Sequence, residues 1–78
     1  MSAINYSKLV ALKPTVYDTL VNSSGQTIEL VEHPLKGDEC QVIAVCHELK
    51  LAAYTDFFDT DDLLTEDYEP VFYNGELQ

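Results

Sequence analysis

Four side chains in this sequence belong to the types that ligate metals or shuttle protons near neutral pH: His33, Cys40, Cys46 and His47. Together they have the chemistry of a zinc set. Their spacing works against it. There is no Cys-x-x-Cys pair, so no single turn presents two thiolates. On a strand, Cys46 and His47 point to opposite faces. Cys40 and Cys46 are six residues apart, which is roughly 20 Å of extended chain. That separation also excludes a disulfide between them. Two buried thiols acting as small hydrophobes fit the pattern better.

The acids between Asp56 and Glu69 are the second chemical candidate. A calcium loop of the EF-hand type needs oxygen ligands at its positions 1, 3 and 5, glycine at 6 and glutamate at 12. Started at Asp59, the run offers Leu63, Leu64 and Pro70 where it needs an oxygen, a glycine and a glutamate. Acid–base catalysis is no better served. His33 and His47 are the available bases, and the carboxylate pair Asp61–Asp62 sits in a stretch that reads as exposed. Exposed carboxylates make poor general acids near neutral pH. All three glycines fall in apparent turns, so no phosphate-binding loop exists. The expectation is a chain with no catalytic residue, no metal and no cofactor, acting by binding and not as an enzyme.

The same acids have a different use as a surface. Residues 1–37 hold Asp18, Glu29 and Glu32 against Lys8, Lys13 and Lys36, and residues 38–78 hold eleven acids against Lys50 alone. The net charge of −10 therefore belongs to the second half. Direct contact with nucleic acid or an anionic membrane requires Lys and Arg near the phosphates, so neither is expected. A basic protein is the electrostatic complement. Asp56, Asp59, Asp61, Asp62, Glu66, Asp67 and Glu69 supply the charge, and the interleaved Tyr54, Phe58, Tyr68 and Tyr73 can supply apolar anchors. A sharper form of this reading is mimicry, in which carboxylates stand in for phosphates and block a DNA- or RNA-binding protein. The plain alternative is that the charge only keeps the protein soluble and its sheet edges apart.

These residues need elements to hold them. With 78 residues, 46% hydrophobic and 23% charged, the chain reads as one small globular domain, residues 1–78, with a thin core. Leu9, Val10 and Leu12 lie near one helical side before Pro14, which predicts a short helix over Ala3–Lys13. Val16–Asn22 and Gln26–His33 read as strands of a hairpin turning at Ser23-Ser24-Gly25, although residues 15–22 also fit a helical spacing. Pro34 ends the second strand, and Leu35-Lys36-Gly37-Asp38 makes a turn. Cys40–His47 is apolar on both sides, with Cys40, Val42, Ala44 and Cys46 facing one way and Ile43 and Val45 the other. That is the mark of a central strand. Lys50–Phe58 alternates and extends the sheet. Thr60 is placed to cap a helical turn. Pro70–Tyr73 reads as a last strand that Asn74-Gly75 folds back.

The predicted class is α+β and mainly antiparallel β: a meander of about five strands, as an open sheet or small open barrel, with one short N-terminal helix. Met1–Ser7 lacks the basic-then-apolar pattern of an export signal, and two cysteines without one suggest the cytoplasm. The predicted function is a small acidic protein-binding or regulatory module. A homodimer that pairs through the neutral half or a sheet edge is the structural alternative.

Overall fold

The computed structural model describes residues 3–34 and 37–78. Four strands run as an antiparallel meander: β2 (Val16–Val21), β3 (Thr27–Pro34), β4 (Cys40–Cys46) and β5 (Leu51–Tyr54). A two-residue strand, β1 (Ala3–Ile4), joins outside β5, giving the order β1-β5-β4-β3-β2. The sheet is open and has two edges, β1 and β2. Residues 16–21 are thus strand and not helix, as the density of β-branched and aromatic side chains there favours.

The N-terminal helix is shorter than the spacing predicts. It spans α1 (Tyr6–Ala11), because Asn5 takes the cap and its Oδ1 accepts the Lys8 N–H at 3.0 Å. Ala3 and Ile4 are drawn into the ladder opposite Ala53 and Ala52 instead. At the other end Lys13 turns left-handed at φ 49° just before Pro14. Six residues of helix have no stability of their own. This one is held by Leu9, which is buried against Val31, Ile43, Val45 and Ala52. The segment β1–α1–β2 therefore carries the chain from one sheet edge to the other across this face.

The opposite face is covered by the C-terminal third. Helix α2 (Thr60–Thr65) and a small hairpin of β6 (Phe72–Tyr73) and β7 (Glu76–Leu77) bring Leu63 and Phe72 onto Ile28, Leu30, Val42, Ala44 and Cys46. The two faces of β4 separate as the sequence predicts from Val42 onward, with Val42, Ala44 and Cys46 under one layer and Ile43 and Val45 under the other, whereas Cys40, expected buried like Cys46, is only half-buried at the start of the strand. β4 is the central strand, and its run from Val42 to Cys46 is buried throughout. The C-terminal hairpin turns at Asn74-Gly75 with both residues left-handed, at φ 53° and 82°.

Two expectations fall partly outside the described residues: the reading of Met1–Ser7, at Met1 and Ser2, and the turn after Pro34, at Leu35 and Lys36. Among the described residues, no helix is long and apolar enough to cross a membrane.

Candidate functional site

The two layers over the sheet inherit the charge split of the sequence. The α1 side carries Lys8 and Lys13. The layer from Asp56 onward carries acids and no base. This layer begins where Thr55 ends the alternation of β5. Its hydroxyl donates to the Val42 carbonyl at 2.9 Å and accepts the Phe57 N–H at 3.1 Å. That bends the chain over the sheet, with Asp56 exposed at the bend and Phe57 turned onto the core.

Helix α2 then fixes the spacing of the acids. Its cap is Asp59, whose Oδ1 accepts the Asp61 N–H at 2.8 Å. Thr60, expected as the cap, is the first helical residue and is buried. Glu32 of β3 reaches up and accepts the Thr60 N–H at 3.1 Å, which pulls that residue down. With Thr60 and Leu63 facing the sheet, Asp61, Asp62, Leu64 and Thr65 face outward. The helix closes in a Schellman motif: Tyr68 N–H donates to the Leu63 carbonyl and Asp67 N–H to the Leu64 carbonyl. Asp67 sits at the left-handed position, φ 54°.

Beyond the helix the layer is bolted to the β2–β3 turn. Glu69 accepts from Ser23 twice, from its N–H and its hydroxyl, both at 2.8 Å. Buried Asn22 donates to the Pro70 carbonyl at 2.8 Å. The Gln26 side-chain amide both donates to and accepts from the Phe72 backbone, at 3.0 and 3.1 Å. These contacts hold the acidic layer on the sheet as one body.

Of the residues singled out in the sequence, Asp56, Phe58, Asp59, Asp61, Asp62, Glu66, Asp67 and Tyr73 are exposed on this layer. Three others have different work. Glu69 is exposed as well, but its carboxylate is committed to Ser23. Tyr54 packs with the α1-side cluster and meets the His33 ring edge-on at 6.1 Å. Tyr68 stacks tilted on Phe57 at 5.1 Å and donates to the Gln78 carbonyl. Burial, and then the negative charge of Asp56, push the Tyr68 phenol above its ordinary value of 10.0. Tyr54, Asp56 and Tyr68 do share the walls of one open groove of about 360 Å³.

Residues not singled out also belong to the surface. Leu64 is exposed beside the α2 acids, and a helical period over residues 60–65 would have found it. Asp38 and Glu39 flank exposed Phe58 in a shallow hollow of about 330 Å³ that also includes Cys40.

A separate polar chain sits on the α1 side. The Tyr6 hydroxyl hydrogen-bonds His47 Nδ1, and His47 Nε2–H donates to Glu29 Oε1 at 2.6 Å. His47 is half-exposed, and the hollow beside it is walled mainly by apolar side chains such as Leu9, Val31 and Val45. This chain ties α1 to β3 and β4. Cys46 lies on the opposite face from His47, so the two do not converge. Among the described residues no three His, Cys, Asp or Glu side chains form a metal-binding group. Among the described residues the His47–Glu29 contact is the only one that brings a basic side chain against a carboxylate, so the acids of the C-terminal layer have no cation beside them. No protein-family model, characterised protein or solved structure gives a significant match to this chain.

Proposed function

We propose that this chain is a non-enzymatic binding module that docks a basic protein surface against its C-terminal layer. The observation that carries the reading is the state of the carboxylates there. Asp56, Asp59, Asp61, Asp62, Glu66 and Asp67 are exposed and have no cationic partner among the described residues. Their spacing is set by a capped helix and by hydrogen bonds to the sheet. A fixed array of like charges raises the local potential and steers a basic partner. Phe58, Leu64 and Tyr73 stand exposed in the same layer and supply apolar contact area. If the basic partner itself binds nucleic acid, the carboxylates occupy phosphate positions and duplex DNA or RNA competes.

The test is capture from cell lysate by the tagged chain and by a variant with Asp59, Asp61, Asp62 and Asp67 changed to Asn and Glu66 to Gln. Asn keeps the helix cap at 59 and tolerates the left-handed position at 67, so the variant retains its fold. The wild type should capture a basic protein at about 50 mM salt and lose it near 500 mM. The variant should lose it at both. Equal capture by the two chains overturns the reading.

A further inference from the structure

β2 is an edge strand of six residues, and all of them except Leu20 are exposed. Its free side can be read from the ladder. Asn22 N–H donates to the Gln26 carbonyl at the turn. Bonded and unbonded pairs alternate in an antiparallel ladder. Counting back from that pair, Leu20 and Asp18 exchange bonds with Ile28 and Leu30, and Val21 and Thr19 turn their N–H and C=O groups away from β3. Asp18 Oδ1 accepts the Thr19 N–H at 2.7 Å, so a side chain stands in for a missing strand.

The side chains along this edge divide by face. Val16, Thr19 and Val21 lie opposite Val31, Glu29 and Thr27, on the α1 side. The ladder shifts register between Val16 and Asp18, and Tyr17 is the extra residue. Tyr17 lines a hollow on the α1 side with Leu12 and Pro14. Tyr17 is 57% exposed, Val21 66% and Leu12 74%. This is an apolar border on an open edge, in the half of the chain whose charges sum to zero. Natural edges are usually blunted by lysine, proline or inward charge. This one carries a bulge and one acid.

We infer that β2 pairs antiparallel with the β2 edge of a second copy, about a two-fold axis at Thr19. An axis perpendicular to the sheet keeps each face continuous, so opposed residues must come from the same face. Centring on Asp18 sets two carboxylates directly opposite each other, which is unfavourable. Centring on Leu20 shortens the overlap. Centring on Thr19 opposes Tyr17 with the second copy's Val21, Asp18 with its Leu20, and Thr19 with its Thr19. Aromatic and β-branched pairs of that kind stabilise a ladder, and Thr19 and Val21 are the residues whose backbone groups already face outward. The second copy's Thr19 carbonyl then takes the N–H that Asp18 now covers.

The acidic layers of the two copies lie on the same side of such a continuous sheet, so self-association is opposed by like charge and strengthens as salt rises. That is the reverse of the salt dependence of a basic partner, and it lets the two surfaces be told apart.

The experiment is sedimentation equilibrium of the full chain across salt concentrations, with disulfide trapping. The wild type should reach twice the chain mass of 8.8 kDa, more completely at high salt. Thr19→Pro and Thr19→Lys should both run as monomers with unchanged circular dichroism, since the Thr19 N–H takes no part in the β2–β3 ladder. In a Cys40→Ser background, Thr19→Cys should cross-link on oxidation, because it faces itself across the axis. Val21→Cys should not, because its counterpart lies roughly 13 Å away. A wild-type monomer at every salt overturns the proposal. So does a dimer that survives both Thr19 variants, or trapping by Val21→Cys in place of Thr19→Cys.

Discussion

Asn22 is the joint between the sheet and the acidic layer, and changing it to Asp isolates what that joint contributes. The side chain is buried and makes four hydrogen bonds. Its Oδ1 accepts from the N–H groups of Ser24 and Gln26 at 3.0 and 2.9 Å. Its Nδ2 donates to Gln26 Oε1 and to the Pro70 carbonyl, each at 2.8 Å. Aspartate has the same shape and keeps both accepted bonds. It replaces the amide group with an oxygen that faces two other oxygens. Two donated bonds are lost at about 1 kcal/mol each, and a carbonyl and a charge are left buried without partners, for a total of about 3–5 kcal/mol. A chain of 78 residues has about 4–12 kcal/mol of stability in all, so the loss is a large share. Urea denaturation followed by circular dichroism should show a midpoint lower by about 3–5 M at a slope near 1 kcal/mol per M. Lowering the pH should narrow the gap between Asn22→Asp and wild type, because the introduced carboxyl, once protonated, can donate to the Pro70 carbonyl again. An Asn22→Asp protein within about 0.5 kcal/mol of wild type would refute the joint.

Three further changes probe the same layer. Thr60 Oγ1 is buried without a partner among the described residues, so Thr60→Val should leave stability unchanged or raise it by about 1 kcal/mol; a loss of that size in urea denaturation would mean the hydroxyl is bonded. Asp67→Gly relieves a left-handed residue at the helix end and should add about 0.5–1 kcal/mol while removing one carboxylate. A binding defect in that variant therefore reports on charge and not on folding. The raised Tyr68 pKa makes the folded state hold its phenol proton more tightly than the unfolded chain does. Its contribution is intact below the ordinary value of 10.0 and is lost as pH rises through the folded pKa. Tyr68→Phe should flatten that alkaline decline in denaturation midpoint, and an unchanged decline would remove Tyr68 as its cause.

Much of the scaffold is written locally. The alternation from Cys40 to Cys46 names both faces of the central strand, and Asn22 to Gly25 and Asn74-Gly75 mark two hairpins. What escapes is set by distant partners. Ala3 and Ile4 have no local strand signal, and β5 recruits them. Asp59 and Thr60 are both able caps, and the choice between them follows from Glu32 on another strand. The acidic run is where sequence order misleads most. Aromatics interleaved with acids look like one surface, but strand parity sends Tyr54 to the far side and the helix terminus folds Tyr68 inward. Glu69 looks like one more surface charge until Ser23, far away in sequence, is brought beside it. The Tyr6–His47–Glu29 chain is invisible for the same reason, since three separate elements deliver its members.

On the proposed function, a basic partner reads the exposed carboxylates of the C-terminal layer. The most direct measurement of this is the affinity of the captured partner, by calorimetry, for the wild type and for the five-site neutral variant at low and high salt. Wild-type binding should weaken tenfold or more, about 1.4 kcal/mol, between about 50 and 300 mM salt. The variant should bind weakly at both, with little salt dependence. Equal affinities and equal salt slopes for the two proteins would contradict that reading.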